Sequence, residues 1–339
     1  MYSIFRPLLF RLEPETSHRL TLNILRILGN FPPSSWLLSQ LYKTESKPVE
    51  VFGLTFKNPV GLAAGYDKDA LAIRGLAALG FGHIEIGTVT PQPQPGNPRP
   101  RVFRLIEDEA VINRMGFPSQ GADFVADKLA RLNVKTFRRS NVIVGVNLGK
   151  NKDTPLEEAA NDYVKLMKVF APLADYLTIN ISSPNTIGLR RLQNREMLES
   201  LLAQINMERE TWNMKRSILV KISPDMTEDE LEDAVGVILD KHMDGIIATN
   251  TTIAREGLRS KFRGESGGLS GSPLAAGSEA VLRRVVKLVD GRVPIVSAGG
   301  IMSPDDAKQR LALGASLVQV YTGLIYRGPG LVKKIGKSF

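Results

Sequence analysis

The sequence predicts an α/β fold, a (β/α)8 TIM barrel with a small N-terminal helical domain. Three observations predict it. Eight short apolar runs recur from about residue 60, each followed by a helix-like segment. The runs are continuously apolar rather than alternating, as in parallel strands covered by helices. Polar residues gather where the runs end, and in a barrel that is the catalytic rim. A doubly wound open sheet is the alternative. It is weakened because no Gly-x-Gly-x-x-Gly fingerprint follows the first run.

In chain order, residues 1–45 read apart from the rest. Ile4, Phe5, Leu8, Leu9 and Leu12 fall at helical spacing, and Pro14 begins a new segment. Leu20, Ile24, Leu25, Ile27 and Leu28 repeat the pattern up to Gly29. Pro32-Pro33 breaks it, and Trp36, Leu37, Leu38, Leu41 and Tyr42 follow. Two or three short amphipathic helices are expected, either as a cap on the main domain or as a monotopic membrane contact. Arg6, Arg11, Arg19 and Arg26 stand against Glu13 and Glu15, so apolar area would do most of any lipid binding. Residues 46–339 form the second domain, the barrel.

The expected strands are 60–64, 83–88, 142–147, 176–180, 218–222, 245–249, 294–298 and 317–321. Two connections are long, about 89–141 and 250–293. Both leave strand ends on the catalytic side, where long loops serve as lids or binding elements. Pro91-Gln-Pro-Gln-Pro95 opens the first and is too short and too embedded to be a linker.

Composition excludes several function classes. The 339 residues contain no cysteine, which rules out disulfides and thiolate metal sites. His18, His83 and His242 lie far apart, so a histidine-rich metal site is not expected. The net charge of +9 comes without a long basic run or a nucleic-acid-binding motif, and no nucleic-acid partner is expected. No stretch approaches the roughly 18 apolar residues of a membrane-spanning helix. Neither a signal peptide nor a transit peptide is expected, which points to a bacterial protein.

The candidate chemistry sits at the strand ends. Lys68 lies past the first run, Thr88 ends the second, Asn147 the third and Asn180 the fourth. Thr249-Asn250-Thr251 ends the sixth. An Asn or Thr at such a place is by itself more often a helix cap than a ligand. Lys221 is different. Within Ile218-Leu-Val-Lys-Ile222 it points into the barrel, where an unpaired charge is costly and an anionic partner is needed. Gly299-Gly300 and Gly323 follow runs seven and eight, where barrels often hold a phosphate on backbone N–H groups. Gly267-Gly268-Leu-Ser-Gly271 reads as a flexible approach to that place. A phosphate-bearing cofactor and a sugar phosphate both suit it.

Seven motifs then become specific together. Gly61-Leu-Ala-Ala-Gly-Tyr-Asp-Lys-Asp69, Ile86-Gly-Thr-Val-Thr-Pro91, Asn113-Arg-Met-Gly-Phe117 and Asn147-Leu-Gly-Lys-Asn151 are the first four. Asn180-Ile-Ser-Ser-Pro-Asn185, Ala248-Thr-Asn-Thr-Thr252 and Gly267-Gly-Leu-Ser-Gly271 complete the series. In this order the chain resembles the dihydroorotate dehydrogenases over about residues 50–330. The N-terminal helices extend the match and point to the quinone-linked class 2.

The resemblance implies oxidation of (S)-dihydroorotate to orotate, in pyrimidine biosynthesis, with FMN as hydride acceptor and a quinone as final acceptor. It implies cofactor contacts at Ala64, Gly65, Tyr66, Asp67, Lys68, Thr88, Asn147, Asn180, Lys221, Thr249, Gly271, Gly300, Tyr321 and Thr322. No role is assigned to the Tyr66 side chain. Substrate contacts are implied at Lys68, Asn113, Arg114, Met115, Gly116, Phe117, Asn180, Asn185, Asn250 and Thr251. Asparagine suits the amide-like groups of dihydroorotate, and Lys68 its carboxylate. Ser183 is the implied base at C5, and serine rather than cysteine there fits class 2. Thr186 and ordered water are expected to relay its proton, and Phe117 to shield the site. His18, Arg104 and Tyr321 are expected along a quinone route between the N-terminal helices. The enzyme would sit peripherally on the cytoplasmic side of a bacterial inner membrane, in contact with lipid. Competing readings are another FMN barrel reductase, a flavin-free sugar-phosphate isomerase or lyase, and a non-enzymatic membrane-surface protein. The last leaves the convergent Lys, Asn and Ser residues unexplained.

Overall fold

The computed structural model describes residues 2–132 and 141–339. Residues 133–140, part of the first long connection, lie outside the described residues. Eight parallel strands close a barrel: β3 (Val60–Leu62), β4 (His83–Val89), β7 (Ile143–Leu148), β8 (Tyr176–Asn180), β9 (Ser217–Ile222), β10 (Gly245–Ala248), β12 (Ile295–Ala298) and β13 (Leu317–Val320). Every expected strand is present to within one or two residues at each end. Closure is made by β13 on β3, with Val318 opposite Val60. The strands are buried almost throughout because helices cover them, which is why they read as unbroken apolar runs.

Two features lie outside the eightfold pattern. A hairpin, β1 (Val49–Val51) with β2 (Leu54–Phe56), plugs the N-terminal end of the barrel. Its Phe56 is fully buried against the His83 ring, 5.4 Å between centroids. Burying such a side chain stabilises by about 2–3 kcal/mol. At the opposite end the two long connections meet. β5 (Val102–Leu105), β6 (Ala110–Asn113) and β11 (Gly268–Gly271) form a three-stranded antiparallel sheet over the rim. The 267–271 stretch is therefore not a flexible approach. A Cβ at Gly268 would lie 2.0 Å from Thr251 Oγ1, and one at Gly271 2.3 Å from the Glu109 carbonyl. These glycines permit close backbone packing rather than motion.

The N-terminal segment is α1 (Tyr2–Arg11), α2 (Pro14–Asn30) and α3 (Pro32–Leu41). Glu13 caps α2, its carboxylate accepting from the backbone of Glu15 and Thr16 at 3.0 and 2.8 Å. Pro32 and Pro33 open α3, where a missing N–H does no harm. Among the described residues, sixteen large apolar side chains stand exposed, and eleven of them lie in this segment, from Ile4 to Leu41. No helix is long and apolar enough to cross a membrane among the described residues.

Candidate active site and its second cavity

The strand ends and the sheet above them enclose an inner cavity at the barrel mouth. Its floor is a buried polar network. Asn180 Nδ2 donates to Thr88 Oγ1 and to Asn147 Oδ1, both at 2.9 Å. Thr88 Oγ1 donates to Asn147 Oδ1 at 2.6 Å. Asn147 Nδ2 passes the chain down to Glu85 Oε1 at 2.8 Å. The Glu85 carboxylate also accepts from Tyr176, Thr178 and Gln319 at 3.2, 3.2 and 3.0 Å. Glu85 is fully buried and faces the charge of Lys221. Burial pushes the Lys221 ammonium down, and the Glu85 charge works against that. Lys221 lines the cavity, with no hydrogen-bond partner among the described residues.

Ser183 and four amide or hydroxyl side chains form the upper wall. Asn185 Nδ2 donates to Asn113 Oδ1 at 3.0 Å, while Asn185 Oδ1 is buried without a partner. Asn250 Nδ2 donates to Ser182 Oγ at 2.9 Å and to Asn180 Oδ1 at 3.3 Å. Thr251 N is held by Asn250 Oδ1 at 2.8 Å. Ser183 is buried, and its Oγ accepts from the Asn185 backbone at 3.2 Å. No direct hydrogen bond joins it to Thr186, so a relay through Thr186 needs a bridging water. Lys68 reaches the cavity with its Nζ donating to the Gly65 carbonyl at 2.5 Å. Burial pulls its ammonium down to about 8, against the charge of Asp69. At the β12–β13 end the wall is backbone: Gly271, Gly299, Gly300 and Gly323 line it. A Cβ at Gly300 would lie 2.3 Å from Ala275 Cα, so only glycine lets the two backbones pack this closely beside the cavity.

A second, outer cavity opens between α1, α2 and the barrel. Leu9, Phe10, Ile24, Leu25, Val102 and Leu324 are among its apolar walls. His18 and Arg104 are among its polar points, with Glu15, Ser17 and Thr21. Burial holds the His18 imidazole down to about 4, and the nearby Lys68 charge adds to this. Arg104 lies over the Phe10 ring, 4.7 Å to its centroid, and donates to the Leu9 carbonyl at 3.1 Å and to that of Leu12. Lys68, Asn113, Met115 and Tyr321 line both cavities and form the partition. Three rings run through it edge to face. His18 meets Tyr66 at 4.9 Å, and Tyr66 meets Tyr321 at 5.9 Å. Among the described residues no group of three or more His, Cys, Asp and Glu could hold a metal ion.

A family model described as dihydroorotate dehydrogenase matches residues 47–339. The chain belongs to the dihydroorotate dehydrogenase family. A dihydroorotate dehydrogenase (quinone) of Roseiflexus sp. (strain RS-1) is 49% identical over 337 residues, 99% of this chain and 92% of the relative. That of Idiomarina loihiensis is 48% identical over 342 residues, covering 99% of both chains. The crystal structure of the Eimeria tenella dihydroorotate dehydrogenase in complex with ferulenol superposes with a TM-score of 0.86. It is 40% identical, over 98% of this chain and 93% of that one.

Most of the residues singled out in this family member's sequence meet at the inner cavity. Of the expected substrate and cofactor contacts, four do not bring their side chains there. Asn147 lies beneath the lining, holding Thr88 and Asn180. Asp67 is fully buried, and its carboxylate caps the backbone of Leu71 and Ala72, both at 2.8 Å. Arg114 pairs with Glu265 at 2.5 Å and stacks over Phe103. Tyr66 faces the outer cavity, so its ring does have a place, between His18 and Tyr321.

Sequence reasoning missed Glu85, Gln319 and Arg190. Glu85 was signalled by an acid amid the apolar run Ile84-Glu-Ile86. Arg190 donates to the Ser182 carbonyl at 3.1 Å and to the Thr251 carbonyl at 2.9 Å, and pairs with Asp225 at 2.7 Å. It clasps the loops of Ser183 and Thr251 together. No local pattern distinguishes it from a surface arginine.

Proposed function

We propose that the chain oxidises (S)-dihydroorotate to orotate at the inner cavity, with FMN as the immediate acceptor and a membrane quinone, entering the outer cavity, as the final one. One observation carries this reading. A cavity presenting Ser183, Lys68 and Lys221 is separated from a more apolar cavity by a partition of shared residues. Two chemically unlike partners can therefore work through one centre between them.

The residues fit a flavin mononucleotide. The glycine-lined backbone at Gly271, Gly299 and Gly300 suits a phosphate, and Thr322 beside it offers a hydroxyl. Lys221 and Gln319 present polar groups to the deep end of the cavity. Gln319 Oε1 is buried there without a partner, as expected of a group that meets a bound ring system. When bound, the flavin supplies the acceptor for the hydride leaving C6 of dihydroorotate. The Lys221 charge stabilises negative charge developing beside it.

The chain itself does the rest. Ser183 Oγ takes the proton from C5. Lys68 holds the substrate carboxylate. Asn113, Asn180, Asn185 and Asn250, with Thr251, orient the ring amides, and the free Asn185 Oδ1 is available to a ring N–H. Phe117 lines the same cavity and excludes water from the reacting atoms. On the outer side His18 and Arg104 meet a quinone head group, with residues 1–45 as the membrane-contacting unit and 46–339 as the catalytic barrel. The exposed apolar side chains of α1–α3 would rest in the cytoplasmic leaflet of a bacterial inner membrane.

Orotate formation assayed with quinone, fumarate and NAD as alternative acceptors tests reaction and class together. Quinone-supported turnover is expected, with little from the other two. Turnover with NAD and none with quinone would overturn the assignment.

A further inference from the structure

Glu15 belongs to α2 and lines the outer cavity, yet its hydrogen bonds lead to the inner one. Arg101 Nε lies 3.2 Å from each Glu15 oxygen, and Nη2 lies 3.0 Å from Oε1. The two side chains are 10% and 8% exposed, so solvent screens this pair little. Arg99 Nε adds a contact at 3.2 Å. The other edge of the Arg101 guanidinium holds backbone, its Nη1 donating to the carbonyls of Pro95 and Asn97 at 2.7 and 2.9 Å. Asn97 continues the path. Its Nδ2 donates to the Arg114 carbonyl at 3.0 Å and to the Asn185 carbonyl at 3.2 Å. There is no slack at this joint, since a Cβ on Gly116 would lie 2.7 Å from Asn97 Cγ. Asn185 in turn holds Asn113, and Ser183 accepts from the Asn185 backbone.

We propose that Glu15 and Arg101 are positioning residues for the dihydroorotate site, acting through Asn97 on the Ser183–Asn185 loop. The proposal rests on the reading of Asn185 and Ser183 as substrate-facing groups. Its physical basis is the planar fork of Arg101. That fork takes a carboxylate on one edge and two carbonyls on the other, so it fixes a loop relative to a helix in one orientation. Without the carboxylate the guanidinium keeps its charge, loses its orienting partner and turns toward water. Asn97 is then free to move, and with it the loop that carries the base. Substrate affinity thus depends on whether α2 is seated, although α2 touches no substrate.

The test is flavin reduction by dihydroorotate, followed anaerobically without quinone in the flavin-loaded full chain. The variants are Glu15→Gln, Asn97→Ala, the double variant and Asn185→Ala. Bound flavin absorbance confirms that each has folded. Glu15→Gln is expected to weaken the apparent affinity for dihydroorotate about tenfold, with a smaller change in limiting rate, because a misplaced loop affects binding geometry first. Asn97→Ala is expected to do the same, and the double variant to be no worse than Asn97→Ala alone, since both break one path. Unchanged affinity in Glu15→Gln, or effects that multiply in the double variant, would overturn the proposal. If Asn185→Ala binds dihydroorotate normally, the substrate-site reading itself fails, and the brace fails with it.

Discussion

The two cavities share four lining residues and differ in almost everything else. The inner one is closed by a hydrogen-bonded floor, a glycine-lined wall and loops clasped by Arg190. The outer one is walled by apolar side chains of helices whose far faces are also apolar. Under the proposed function the difference would separate two tasks. Moving a proton and a hydride requires fixed polar groups in a dry, preorganised site. Admitting a greasy acceptor would require a passage with largely apolar walls. The partition of Lys68, Asn113, Met115 and Tyr321 stands between them.

The sharpest separation is expected from Ser183→Ala. Loss of the base should lower dihydroorotate-driven flavin reduction about 10³-fold. Flavin reduced chemically in the same variant should still be reoxidised by quinone at the normal rate. Near-normal dihydroorotate turnover would remove Ser183 from its role. Next in size is Glu85→Gln. It replaces an acceptor for four donors and removes the counter-charge of Lys221, so about 3–5 kcal/mol of stability should be lost. Urea denaturation of the flavin-free protein measures this, and a loss under about 1 kcal/mol would show that the floor tolerates rearrangement.

The outer region is probed by charging its exposed face. Phe5→Asp with Leu8→Asp should weaken binding to phospholipid vesicles by about 2 kcal/mol, or roughly thirtyfold. Flavin reduction by dihydroorotate should be unaffected. If vesicle binding is unchanged, α1 is not the lipid contact. The smallest effect is in pH. Lys68 is held at about 8, so its charge is present below that pH and lost above it. The KM for dihydroorotate should rise about tenfold between pH 7 and 9. His18 is held at about 4 and stays neutral throughout that range, so it gives quinone reduction no matching inflection. A flat dihydroorotate KM would indicate that the carboxylate is held by another group.

Much of this was legible in the sequence because it is local. Each barrel strand is a contiguous apolar run, and the site residues lie at run ends. Lys221 could be placed inside the barrel as the one charge within an apolar strand run. What was not legible depends on distant pairings. β6 and β11 come from connections about 150 residues apart, and a four-residue strand carries too little pattern to announce its partner. That missing sheet is why 267–271 reads as flexible when it is a tightly packed strand. Glu85 is visible as an oddity, but its role requires Asn147, Tyr176, Thr178 and Gln319 from three other strands. Tyr66 shows no function until His18 and Tyr321 stand on either side of it.

Barrel closure has a consequence for synthesis. Val60 pairs with Val318, so the first strand leaves the ribosome long before its neighbour exists. At typical elongation speeds that interval is on the order of tens of seconds. Through it the nascent sheet has an unpaired edge, while the exposed apolar helices of residues 1–45 have already emerged. On the proposed lipid contact, early binding of those helices would cover their exposed apolar side chains while the last strand is still being made.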